Sequence, residues 1–132
     1  MKITAIRATP VNIPLEAPYI WSVGVYPGTS KTIVEVETDQ GLTGIGETAS
    51  WESVSVIERF ADRLIGMDAL DMHAIELAVV PETRVLWNTD SQSILMAFGG
   101  IEIALWDLRG KAWGAPLYML LGGAVRKQIT FT

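Results

Sequence analysis

The sequence predicts an α+β fold, a three-stranded antiparallel meander followed by a helical bundle. Two observations predict it. The apolar period changes from two to about 3.6 residues near residue 50, and the strand-like segments come first, with helix-like segments after them. Only a short strand-like stretch at the end of the 132 residues breaks that order.

The first strand is expected over residues 2–14, KITAIRATPVNIP, rich in Ile, Val and Thr, broken near Pro10 and finished at Pro14. The segment after it, LEAPYIWSVGVYPGTS, reads as a loop carrying large aromatics. KTIVEVET is a cleaner strand: Thr32, Val34 and Val36 share one face while Lys31, Glu35 and Glu37 share the other. Asp39, Gln40 and Gly41 supply turn chemistry, and LTGIGET continues as a third strand, so residues 31–48 should form a hairpin. Glu35, Glu37 and Asp39 then lie on its solvated face. A phosphate-cradling role for Gly41, Gly44 and Gly46 does not fit, because no Gly-Lys-Ser/Thr follows and neither nucleotide fingerprint matches their spacing.

Beyond residue 50, Val54, Ile57, Phe60, Ala61, Leu64 and Ile65 recur at helical spacing. Ser55 and Glu58 have capping-box spacing, and Gly66 is placed to end the helix. Asp71 caps a second helix running through Ala78 and Val79 and stopped by Pro81; Asp90 or Ser91 caps a third. The third has a buried stripe of Ile94, Ala97, Phe98, Ile101, Ala104, Leu105, Leu108 and Ala112, an exposed Asp107–Lys111 pair, and a stop at Gly114 and Pro116. Gly99 and Gly100 interrupt it, at a cost of roughly 1 kcal/mol each against alanine, which points to a close approach by another backbone.

Composition narrows the function. With 49% hydrophobic residues the chain can bury a full domain core. Fifteen acidic against ten basic residues give a net charge of −5, which disfavours a nucleic-acid surface. There is no cysteine, no leader-like start and no apolar run of membrane-spanning length, so the expectation is a cytoplasmic protein with neither membrane nor nucleic-acid partner. The single His73 has no carboxylate pair around it and reads as a surface residue; Asp68 and Asp71 read as turn and cap residues. Glu47, ending the third strand, fits either an anchor for the following turn or a substrate contact.

After the Gly-Ala-Pro break, LYMLLGG reads as a helical turn and QITFT as a strand, which places a domain boundary at about residue 115. "GLTGIGE" at the third strand combined with "GGIEIALWDLRGKAWGAPLYMLLGG" at the third helix resembles the N-terminal capping domain of the mandelate racemase and muconate lactonizing branch of the enolase superfamily. The resemblance runs from the MKITAI strand to QITFT. It implies residues 1–115 as a capping domain and 116–132 as linker and first strand of a C-terminal (β/α) barrel missing from this chain.

The resemblance further implies an enzyme that abstracts the proton α to a carboxylate with Mg²⁺ as cofactor, a dehydratase, racemase or cycloisomerase, with an acid-sugar dehydratase the first guess within that set. The metal ligands and bases of the family sit on barrel strands, so no catalytic or metal-binding residue is expected here and the chain alone should be inactive. What this chain would contribute is two loops over the barrel mouth. Tyr19, Trp21 and Tyr26 in the first, and Trp51 in the turn TASWES, are the expected substrate-binding residues, lining a pocket for a small carboxylate. The bland alternative is that they pack on the domain's own sheet, which suits Tyr26 beside Pro27; Trp106 and Trp113 are expected to be packing residues. A homo-oligomer is expected. The competing reading is a non-catalytic module that self-associates or binds a partner, and a chain without its barrel should expose Leu117, Leu120, Leu121, Ile129 and Phe131 as an apolar edge.

Overall fold

The computed structural model describes residues 1–49, 51–80 and 89–130. In chain order its elements are β1 (Ile3–Trp21), β2 (Gly24–Thr38), β3 (Thr43–Ala49), α1 (Ser53–Leu64), α2 (Met72–Val79), α3 (Thr89–Trp113) and α4 (Leu117–Leu120). The strands form one antiparallel meander in the order β1-β2-β3, with β2 at its centre, and the helices follow. The predicted fold class is the observed one.

Alternation sets the sheet's faces. Thr32, Val34 and Val36 of β2 are buried, as their spacing predicts, and they join Ile3 of β1 against Ile57, Phe60 and Leu64 of α1, Ile75 and Val79 of α2, and Ala97, Ile101, Ala104, Leu105 and Leu108 of α3. Arg7 and Glu37 pair across the wet face, and Asp39 Oδ1 accepts from the Lys2 N–H at 2.8 Å.

The third strand packs on α3 by having no side chains in the way. A Cβ on Gly44 would lie 2.1 Å from the Ala104 carbonyl oxygen, and one on Gly46 would lie 2.0 Å from that of Gly100. The backbone therefore touches backbone, and Thr48 completes the row by donating its hydroxyl to the Met96 carbonyl at 2.7 Å. The adjacent glycines Gly99 and Gly100 of α3 differ. At Gly100 a Cβ would meet Val34 and Thr48 at 2.9–3.1 Å, whereas Gly99 faces open space.

Several expectations are corrected. β1 does not stop at Pro14 but runs on to Trp21, and β2 starts at Gly24, so the expected first loop is a two-stranded arm closed by Ser22 and Val23. Proline is tolerated because β1 is the edge of the sheet, where a ring nitrogen facing outward removes no ladder bond. Within the arm the ladder is interrupted between Pro14 and Tyr19, a span that also holds Pro18, and a second irregularity falls between Ile3 and Ala5 at the start of β1. The capping box at Ser55 and Glu58 does not form: α1 begins earlier, with Glu52 at its N-cap, and the Ser55 hydroxyl turns back to the Glu52 carbonyl at 3.1 Å. Ala112 is exposed, because α3 outruns β3 at that end. Residues 128–130 form no strand. Pro81 and Phe131, the expected stop of α2 and part of the apolar edge, lie outside the described residues, as do the side chains of Asp90 and Ser91.

Other signals hold. Asp71 caps α2 by accepting the Ala74 N–H at 3.1 Å, Gly66 and Gly114 take positive φ of 83° and 62° after their helices, and Asp68 makes a turn by accepting the Leu70 N–H at 3.1 Å. That bond, with the Met1 ammonium 3.5 Å away and against a weaker opposing effect of desolvation, holds the Asp68 carboxyl below its ordinary pKa.

Two predictions follow from these contacts. Gly46→Ala should cost about 3 kcal/mol or prevent folding, whereas Gly99→Ala should be neutral or stabilise by about 0.5–1 kcal/mol; urea denaturation of the two variants checks the contrast. Because the folded state favours the charged form of Asp68, its contribution is present above the ordinary carboxylate pKa and disappears as pH falls through the lowered folded value. Asp68→Asn should accordingly flatten the acid limb of the thermal midpoint against pH, from the ordinary carboxylate range downward, an effect kept small by the carboxylate's exposure.

Candidate functional site

Tyr19 and Tyr26 are register partners in the arm, and Trp21, two residues beyond Tyr19, lies on the same face opposite Gly24. The rings meet: Tyr19 and Trp21 centroids are 6.3 Å apart at 46°, and Trp21 and Tyr26 are 5.5 Å apart at 57°, both tilted arrangements that aromatic quadrupoles favour. With Leu15, Gly28 and Thr29 they line a cavity of about 280 Å³. The structure thus brings together three of the four expected residues. Trp51 stands apart, in the turn between β3 and α1, 63% exposed; it joins neither ring contact and does not line that cavity.

The arm and the turn bearing Trp51 are tied at their roots. Lys31, where the arm's second strand enters the body of the sheet, reaches Glu47 at 2.7 Å, two residues before β3 ends at Ala49. Glu47 therefore has a structural partner, which favours the anchor over the substrate contact. His73 is exposed on α2. Among the described residues no group of three or more His, Asp and Glu comes together that could hold a metal ion, so Mg²⁺ does not fit the described residues. No helix of the described residues is long and apolar enough to cross a membrane.

Residues 2–122 match the Mandelate racemase / muconate lactonizing enzyme, N-terminal domain. The chain belongs to this family. It is 38% identical to a cis-3-hydroxy-L-proline dehydratase of Roseibium aggregatum, over 98% of this chain and 36% of that protein. It is 32% identical to a probable glucarate dehydratase of Streptomyces coelicolor, over 100% and 34%. Among solved structures, an enolase from Streptomyces coelicolor superposes with a TM-score of 0.84 at 34% identity, covering 96% of this chain and 33% of that one. An enolase from Thermobispora bispora, solved with magnesium and formate, gives 0.80 at 34% identity, covering 96% and 33%. The chain thus spans about a third of the length of its relatives.

Within this mandelate racemase-type domain a second cavity, of about 460 Å³, lies between the outer edge of β3, α3 and the segment leading to α4. Ile45, Ile103, Trp106, Gly110, Pro116 and Leu117 are among its walls. Its charged residues are engaged with backbone: Asp107 Oδ2 accepts the Ile45 N–H at 2.8 Å, and Lys111 Nζ donates to the Thr43 carbonyl at 2.7 Å while pairing with Asp107 at 2.7 Å. Beyond a helical ion pair, then, these two side chains cover the free edge of β3. Trp106 is half-buried, donating to Glu102 and lying 4.8 Å beneath the Arg109 guanidinium, in keeping with a packing role; Trp113 is 57% exposed and does not pack in the core.

Leu15 and Thr29 escaped the sequence reading. No local signal marks them: Leu15 lies in the interrupted span between Pro14 and Tyr19, Thr29 pairs with Ile13, and Ser22-Val23 lacks the Asn-Gly signature that would have announced the turn. Asp107→Ala should free the Ile45 N–H, cost about 1 kcal/mol and open β3 to pairing with another chain. Sedimentation velocity should show increased self-association relative to the parent chain, with Lys111→Ala giving a weaker effect.

Proposed function

We propose that this chain is the capping domain of a Mg²⁺-dependent enolase-superfamily enzyme that removes the proton α to a carboxylate, acting as a dehydratase, racemase or cycloisomerase. The observation that carries the reading is the arm: two strands that leave the body of the sheet with aromatic rings gathered on one face around a cavity, too small and too exposed to serve the core. Such a projection suits covering the mouth of a barrel, with Tyr19, Trp21 and Tyr26 bounding the substrate from above and Trp51 from the neighbouring turn. These residues would bind and orient the organic part of a small carboxylate and exclude water from it. When bound, Mg²⁺ would stabilise the enediolate charge; in this reading its ligands, like the base, lie outside this chain. Relatives named as dehydratases and racemases support the reaction class.

The boundary belongs to the same proposal: residues 1–115 form the cap, and 116–132 the linker and the start of the barrel. Gly114 at φ 62°, the extended Pro116, and the exposed Leu117, Met119, Leu121 and Ile129 beyond it support that division. Leu120 is half-buried and contributes less to the apolar edge.

One observation favours the second reading, a self-associating module. The arm's other face carries Ile20 and Val25, register partners exposed at 74% and 60%, with Val23 at the turn beside them, and such a face also suits the expected homo-oligomer. Kinetics separate the two. In an enzyme that joins this domain to a family barrel, Trp21→Ala and Trp51→Ala should each lower kcat/KM by roughly 10- to 100-fold with the thermal midpoint unchanged. Unaltered kinetics in folded variants would sink the capping role and leave the module.

A further inference from the structure

We infer that the aromatic cavity of the arm is a subsite for a cationic amine, so that the carboxylate served by this domain carries an ammonium group, with N-alkylated and quaternary forms suited best. The inference rests on the capping reading for its place in catalysis, but its physical basis lies in the arm alone. Three aromatic rings, Tyr19, Trp21 and Tyr26, share one face and line one cavity. A cation is attracted to the face of such rings within about 6 Å of a centroid, most strongly to indole. Ring separations of 5.5 and 6.3 Å let a small ammonium at the cavity's rim approach more than one of them.

Charge points the same way. Among the described residues none lining the cavity is charged, and from residue 8 to residue 30 the chain carries a single ionisable acid, Glu16, and no Lys or Arg. An anion or a phosphate would find no counter-charge there; an ammonium meets no repulsion and a chain of net charge −5. A polyhydroxylated acid would need a hydrogen-bond partner for nearly every carbon, and the lining offers little beyond two phenols, one indole N–H and the Thr29 hydroxyl. At about 280 Å³ the space is smaller than the pockets of roughly 300–1,000 Å³ that enclose a whole ligand, which suits a head group whose carboxylate end is held elsewhere.

The test needs no substrate and uses this chain as it stands. Tetramethylammonium and choline are titrated by calorimetry against 3,3-dimethylbutan-1-ol, the neutral isostere of choline, and against gluconate. The expected result is millimolar binding of both cations, at least roughly fivefold weaker binding of the isostere, and no binding of gluconate. Trp21→Leu should abolish the preference for charge while circular dichroism shows the fold retained, and Trp21→Phe, which keeps a ring face, should restore part of it; Tyr19→Leu repeats the test should Trp21→Leu unfold. Equal binding of choline and its isostere, binding unchanged in the leucine variants, or no cation binding at all would each overturn the inference. Failure here with altered kinetics in the barrel-joined variants leaves the capping role standing. Cation binding with silent kinetics overturns the capping role and leaves the subsite.

Discussion

The contact of one backbone with another along β3 and α3 is the constraint on which the rest depends. Gly44, Gly46 and Thr48 present one strand face to Leu108, Ala104 and Gly100 of the helix. Two strand residues advance about 6.7 Å and four helix residues about 6.0 Å, so the two repeats stay nearly in step, losing about 0.7 Å per repeat. A row of three can match before the mismatch separates them. Within that row glycine is required for space, since any Cβ at position 44 or 46 would overlap a carbonyl oxygen, 2.1 or 2.0 Å away.

This close seating places everything else. With α3 drawn down onto the sheet, Leu105 and Leu108 reach the interior beside Val34 and Val36, and α1 and α2 fill the remaining side with Ile57, Phe60, Leu64 and Ile75. It also brings Asp107 and Lys111 within reach of the outer backbone of Thr43 and Ile45, so the same helix that supplies the core also covers the strand edge. Among the described residues no helix covers the far ends of β1 and β2, and there the sheet becomes the exposed arm.

The body of the fold was legible because its signals are local and periodic: the alternation of Thr32, Val34 and Val36, the helical stripe from Ala97 to Leu108, the Asp71 cap and the glycine stops at Gly66 and Gly114. Even the surplus glycines were read as marks of close approach, which holds at Gly100 and fails at Gly99, because sequence cannot say which side of a helix meets the sheet. The arm was misread as a loop. Pro14, Pro18, Pro27, Gly24 and Gly28 are loop chemistry, and the prolines are tolerable in strands because within the arm β1 and β2 have only each other as neighbours, β3 joining β2 from Lys31 onward. Of the candidate site, the aromatic residues were visible by type, but their gathering at Tyr19, Trp21 and Tyr26, and the separation of Trp51, depend on a cross-strand register that no local signal encodes.

A two-stranded hairpin exposed on both faces is marginal in water, and the arm has little besides its own ladder and three touching rings to hold it. Its residues are those of a surface meant to be covered: Ile20, Val23 and Val25 on one side, aromatics on the other. In the capping proposal, stability and recognition are therefore divided along the chain. The glycine row and the helical core can sustain the fold without the arm, so the arm is free to present apolar side chains that a self-sufficient domain would bury. Under that proposal, a ligand or covering surface that met the ring face would add contacts to a hairpin that has few of its own, and would rigidify the arm as it bound.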